Sequence, residues 1–319
     1  MVVDAQTRWS ATPLPWQSDE FERLLVMQQQ ERLPHALMLV GPEGCGKRIL
    51  AATLAASLLC HKRSGGSCGT CDGCLLAKAG SHGDSRWLEP EEGKRAIGID
   101  PVREAIRFTQ QTAGYGQHKV LIVSPAEAMT TSAANAILKT LEEPPGNSFI
   151  IFVCHRPGDL PATVRSRCQK VTVPAPDQGQ ALMWLGEQGL EADLARQAFD
   201  VSGGRVMAAL AMARTGVLEG RAAIRRTFEQ LLEASLGPAG AAADLSKVEL
   251  ETVLETGLSV LQHRLKSHSK SELHKNQAMF LLCDDISQWC AAVRGGLNLT
   301  REGLILQLCM RISTVTKLR

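Results

Sequence analysis

Three short apolar runs punctuate the first half of the chain, at residues 36–40, 120–123 and 149–153. Each is continuous instead of alternating, the pattern of a strand buried on both faces of a parallel sheet. Residues 171–173, Val-Thr-Val, predict a short fourth strand. Helix-forming stretches precede and separate them, at residues 21–30, 47–59 and 132–143, the last stopped by Pro144-Pro145-Gly146. Asp100 and Pro101 read as the N-cap and first residue of a further helix ending near Gly114.

After Pro174-Ala175-Pro176, which disfavours helix and central strand alike, the pattern changes. Residues 181–186, 194–201 and 206–215 predict short helices divided by Gly189 and Gly203-Gly204. From Gly220 onward the chain is almost wholly helix-forming, with Val253, Leu254, Leu258, Leu261 and Leu265, then Leu304, Leu308 and Ile312, at helical spacing. The expected architecture is an α/β domain with a parallel sheet over residues 1–174, a small helical unit over 175–216 and an all-helical unit over 217–319. No fixed-period repeat or long low-complexity segment interrupts it.

Composition narrows the function classes. A chain of 319 residues is longer than one hydrophobic core usually organises. With 44% hydrophobic and 21% charged residues it reads as an ordinary soluble protein, and no apolar run approaches the roughly 18 residues of a membrane span. Residues 1–16 lack the basic start and apolar stretch of a signal peptide, so a cytoplasmic location is expected and no membrane partner. A formal charge of +2 argues against a broad nucleic-acid surface, so any DNA contact is local. Of ten cysteines, three fall within residues 68–74 and the rest are scattered, which in a reducing compartment reads as a metal site plus buried thiols.

The segment Gly41-Pro42-Glu43-Gly44-Cys45-Gly46-Lys47-Arg48 follows a strand and opens a helix, as a phosphate-cradling loop does. Gly41, Gly44 and Gly46 let backbone N–H groups turn inward around phosphate oxygens, and Lys47 is placed to reach the β and γ phosphates. Arg48 stands where a Ser or Thr hydroxyl would ligate Mg²⁺. A second loss follows residues 120–123, where Ser124-Pro125 replaces the acidic pair that holds metal and orients water. Ser124 and Pro125 instead suit an N-cap and first helical residue, and Glu127, one turn on, is a poor substitute. Hydrolysis is therefore not expected. ATP or ADP binding stays open beside a purely structural role for the glycines.

Cys60, Cys68, Cys71 and Cys74 follow one another at spacings of eight, three and three. Two overlapping C-x-x-C units plus Cys60 match a tetrahedral structural Zn²⁺ site, with His61 as a competing ligand. Free thiols in a loop are the blander alternative. A redox pair lacks the βαβ context it would need. A later turn, Thr163-Val164-Arg165-Ser166-Arg167-Cys168, carries two arginines, which as a bare pattern read equally as a solvated face.

Together the loop at 41–47, the four cysteines, Ala136-Ile137-Leu138-Lys139-Thr140-Leu141-Glu142-Glu143-Pro144-Pro145, and Ser166-Arg167-Cys168 resemble the clamp-loader branch of the AAA+ ATPases. The resemblance spans at least residues 34–174 and implies an AAA+ P-loop domain with a zinc-binding insertion (60–74), a helical lid and a helical collar that joins five subunits in a ring. It implies that Arg167 is supplied in trans to a neighbouring ATP site, with Ser166 and Cys168 fixing the turn. It further implies as partners gamma/tau-type ATPase subunits, a delta-type subunit, the sliding clamp and primed DNA of a bacterial DNA polymerase III. The family's lid arginine follows a Gly-Ser pair. Here Gly203-Gly204-Arg205-Val206-Met207 displaces it and puts Met207 in its register, a further mark against a working site.

Two other function classes fit less well. An active P-loop motor needs a Mg²⁺ ligand that the loop lacks. A zinc-ribbon nucleic-acid module needs basic and aromatic residues beside the cysteines, and the loop offers only Lys62, Arg63 and Lys78, with no aromatic until Trp87. The basic stretch at residues 263–270 reads first as a solvated helix end.

Overall fold

The computed structural model describes residues 8–62, 65–115, 118–267, 273–294 and 300–317. The chain divides into two compact units, Met1–Trp184 and Leu185–Arg319.

The first unit is built on β1 (Ala36–Val40), β2 (Ser85–Leu88), β3 (Lys119–Val123), β4 (Ser148–Cys154) and β5 (Gln169–Thr172). All pair in parallel, in the order β2-β3-β4-β1-β5, so the strand that feeds the glycine-rich loop lies inside the sheet, between β4 and β5. The apolar runs are continuous because both faces are covered. Met38, Leu121, Val123, Ile150 and Phe152 pack with α4 (Ile99–Gln110) and α5 (Thr131–Glu142), while Leu37, Leu39, Val120, Ile122, Ile151 and Val153 pack with α1 (Ser18–Gln29) and α2 (Lys47–Leu58). Successive side chains of a strand point to opposite faces, so each apolar run fills two cores.

Helix boundaries follow local chemistry. Thr130 caps α5, its hydroxyl accepting from Ala133 N at 3.2 Å. Two expected caps are corrected. Helix α4 is capped at Gly98, and Asp100 lies inside its first turn, where the carboxylate pairs with Arg103 at 3.4 Å. Ser124 caps no helix: the short 3-10 turn Ala126–Ala128 begins after Pro125, and the Ser124 hydroxyl is committed elsewhere, as described below. The edge strand β2 and the helix α3 (Asp72–Lys78) inside the cysteine-rich insertion are additions to the sequence pattern.

Residues 173–177, around Pro174 and Pro176, carry no regular structure, and α6 (Ala162–Arg165) is the single turn before the Ser166-Arg167-Cys168 segment. The division between units falls within α7 (Gln178–Glu187). The second unit continues through α8 (Ala192–Val201), α9 (Val206–Thr215), α10 (Leu218–Leu232), α11 (Pro238–Leu245), α12 (Leu250–Ser267), α13 (Leu273–Arg294) and α14 (Arg301–Lys317). Phe228, Leu254, Leu261, Ile286, Ile305, Leu308 and Ile312 form its core, in agreement with the helical spacing of the sequence. The basic stretch at 263–270 ends α12, and its residues 268–270 lie outside the described residues. Among the described residues no helix is long and apolar enough to cross a membrane.

Candidate functional site

Three groups of residues carry chemistry in the first unit. The glycine-rich loop joins β1 to α2, with Gly44 and Gly46 at φ of 77° and 86°. A Cβ on Gly46 would lie 2.2 Å from Leu14 Cδ1, and one on Gly41 would lie 2.4 Å from the Val173 carbonyl oxygen. The loop is thus packed from two sides. Trp16 Nε1 and Gln17 Nε2 both donate to the Cys45 carbonyl, at 2.9 and 3.1 Å, so the segment before α1 is fastened to the loop's tip. Lys47 Nζ donates to Gly41 O and Pro42 O at 2.7 and 2.6 Å. Burial holds its pKa below the usual lysine value, against the opposing pull of Cys45, Glu127 and Glu43.

Arg48 departs most from a working loop. Its side chain is 7% exposed, and Nη1 donates both to Glu89 Oε1 and, at 2.9 Å, to Ser124 Oγ. The guanidinium also stacks over the Trp87 ring, 4.7 Å from its centroid. Glu89 is shared with Arg8, 2.8 Å away. At the position where a hydroxyl would hold Mg²⁺, then, a fixed positive charge bridges α2 to the ends of β2 and β3. Glu127 is also taken: its Oε1 accepts from His155 N and Arg156 N at 3.0 and 3.2 Å, closing the end of β4. Glu89 and Trp87 were not legible as partners. The available signal was that an arginine entering a buried loop needs an acid and a stacking surface nearby.

The cysteines converge as their spacing predicts. The Sγ atoms of Cys60, Cys68, Cys71 and Cys74 all lie within 4.8 Å of one another, with Cys68–Cys74 and Cys60–Cys71 both at 3.9 Å. A tetrahedral ion with metal–sulfur bonds of about 2.3 Å requires sulfurs about 3.8 Å apart, so the residues fit a metal ion. His61 is outside this set. Backbone N–H groups already face the sulfurs: Cys68 N to Cys60 Sγ and Cys71 N to Cys68 Sγ, each at 3.4 Å. Hydrogen bonding from Thr70 and Cys71 lowers the Cys68 pKa to about 5, whereas burial pushes Cys74 up to about 12. Cys74 lies in α3, which the cluster ties to Cys60 just beyond α2.

In the arginine turn, Ser166 Oγ donates to Thr163 O at 3.2 Å, and Cys168 packs against the core, where burial raises its thiol pKa to about 12. Arg165 Nη1 donates to Pro157 O and Leu160 O at 2.9 and 2.7 Å and so braces the turn. The Arg167 side chain is 34% exposed. In the second unit, Met207 is buried and Arg205 Nε donates to Ser202 O at 2.9 Å.

A five-stranded parallel sheet with a glycine-rich loop after an interior strand, joined to helical structure, defines a P-loop protein of the AAA+ class. A DNA polymerase III gamma subunit-related protein from Thermotoga maritima shares the fold, with a TM-score of 0.50 over 94% of this chain and 100% of that one, at 18% identity. The family profile described as DNA polymerase III, delta subunit, matches residues 16–177. DNA polymerase III subunit delta' of Pseudomonas aeruginosa is 37% identical over 244 residues, 76% of this chain and 74% of that protein. The subunit delta' of Escherichia coli K12 is 40% identical over 200 residues, 62% of this chain and 60% of that one. The chain belongs to the delta-prime family of DNA polymerase III subunits.

Proposed function

We propose that this chain is a non-hydrolysing clamp-loader subunit of a DNA polymerase III holoenzyme. It scaffolds a pentameric loader and lends Arg167 in trans to the ATP site of a neighbouring gamma/tau-type subunit, which drives loading of the sliding clamp onto primed DNA alongside a delta-type subunit. Residues 175–216 serve as the lid and 217–319 as the collar that holds the ring. The observation that carries this reading is Arg48. Its guanidinium bridges Glu89 and Ser124 where a nucleotide's Mg²⁺ would need a hydroxyl and a carboxylate, so the chain lacks the metal-holding groups of a hydrolase. Gly41, Gly44, Gly46 and Lys47 form a degenerate nucleotide loop in which ATP or ADP is not required.

A guanidinium aimed at a γ-phosphate neutralises charge that develops during transfer, an effect of roughly 10³–10⁵ in rate for arginine fingers. Ser166 and Cys168 fix the turn that presents it. The cysteine cluster holds one structural Zn²⁺, which staples the insertion and takes no part in turnover. Purified alone, the chain is expected to show no ATP turnover above background. In the reconstituted complex, Arg167→Ala is expected to lower DNA-stimulated ATPase about 10-fold or more without loss of assembly. Turnover by the isolated chain at the rate of a motor subunit would favour the active-motor reading instead.

A further inference from the structure

The proposed role sends Arg167 toward another chain, yet within its own chain the guanidinium is already engaged. Nε donates to Glu142 Oε1 at 2.7 Å, Nη2 meets the same oxygen, and Nη1 donates to Thr163 O at 2.9 Å with Ser166 Oγ 3.4 Å away. These contacts differ in kind. Thr163 and Ser166 belong to the same turn as Arg167 and fix the direction in which its side chain leaves the backbone. Glu142 is the last residue of α5, 25 residues upstream, and touches only the charged end. It belongs to the Leu141-Glu142-Glu143-Pro144-Pro145 stretch, whose prolines end α5 and set the carboxylate beside the arginine turn.

Exposure decides what such a pair can do. The Arg167 side chain is 34% exposed and that of Glu142 50%, so the pair is of the weakly held, solvent-screened sort. A phosphate carries more charge than a carboxylate and accepts from the same N–H groups, so it outcompetes Glu142 once it is within reach. Both acceptors cannot take the same N–H at full strength. The Thr163 contact, by contrast, leaves the charge of the guanidinium unopposed.

We propose that Glu142 is a positioning residue that parks the Arg167 guanidinium against α5 until the triphosphate of a neighbouring subunit draws it away, so that one carboxylate sets how much of the finger is available. This rests on the reading of Arg167 given above.

The test reconstitutes the loader with the wild-type chain, Arg167→Ala, Glu142→Gln and the double variant. ATP turnover is measured with and without clamp and primed DNA, and the Tm of each free chain is recorded. Glu142→Gln keeps the side chain's size and removes its charge. It is expected to raise DNA-independent turnover roughly two- to fivefold, the range set by releasing one exposed ion pair. Its Tm is expected to stay within about 2 °C of wild type. In the double variant the gain should vanish, leaving turnover at the Arg167→Ala level. If Arg167→Ala is as fast as wild type, the trans-arginine reading fails and parking falls with it. If Arg167→Ala is slow but Glu142→Gln shows no rise, the finger stands and parking is overturned. A rise that persists in the Arg167→Ala background also overturns it, because Glu142 would then act on something else. Should Glu142→Gln fold poorly, Glu142→Ala provides the same comparison, read against its own double variant.

Discussion

At the scale of single residues, the glycine-rich loop shows what one replacement can do. A guanidinium in place of a hydroxyl brings a charge into a buried site, where it persists only with a partner and a surface to stack on. Glu89, Ser124 and Trp87 supply these. Removing the acid while leaving the base is the costly change, because an uncompensated charge stays buried. Glu89→Ala is therefore expected to destabilise the first unit by about 3 kcal/mol, read as a lower denaturation midpoint with unchanged m-value. Arg48→Met, which removes the charge and keeps an apolar stem, should cost distinctly less. The loss of the metal hydroxyl was legible at Arg48 itself. The bridge was not, because Ser124 lies 76 positions away and local pattern offered it a more obvious role as a helix cap. Glu142 was hidden for the same reason: it sat in plain view as part of a motif, and only the fold brings it to Arg167.

At the scale of elements, legibility follows burial. Strands β1, β3 and β4 fill two cores each, so their sequences are unbroken apolar runs, recovered within a residue of their ends. Strand β2, Ser85-Arg86-Trp87-Leu88, is an edge strand with partner β3 on one side, and its mixed composition gives no such signal. Helix α3 escaped because its first turn contains two glycine and cysteine positions that read as turn and ligand. The cluster and the helix are one feature. Cys71 caps α3 and Cys74 lies within it, so a metal held by these thiols also fixes the helix start. One Zn²⁺ per chain is expected by metal analysis. Combined Cys71→Ser and Cys74→Ser should abolish it, with faster hydrogen exchange across residues 65–78 while β1 and β3 stay protected. Native protein that contains no metal would refute this.

At the scale of the whole chain, two compact units have separate cores. Among the described residues, the second core draws on residues from Ile224 to Val315. Helical spacing announced that core, while the sequence pattern put its first boundary at the Pro174–Pro176 stretch and the compact division falls within α7. Proline marks where a chain must leave regular structure, whereas compactness depends on which distant side chains meet. Residues 185–319 expressed alone are expected to give a helical circular-dichroism spectrum and a cooperative thermal transition. A non-cooperative melt would show that this unit needs the rest of the chain. The two centres of the first unit would also differ in where their positive charge originates. A metal held by the thiol cluster would be an ion drawn from the cell's supply, and starvation or a chelator could empty the site. Arg48 is covalently part of the chain, so the tie it makes between α2 and the sheet is present from synthesis and indifferent to metal scarcity.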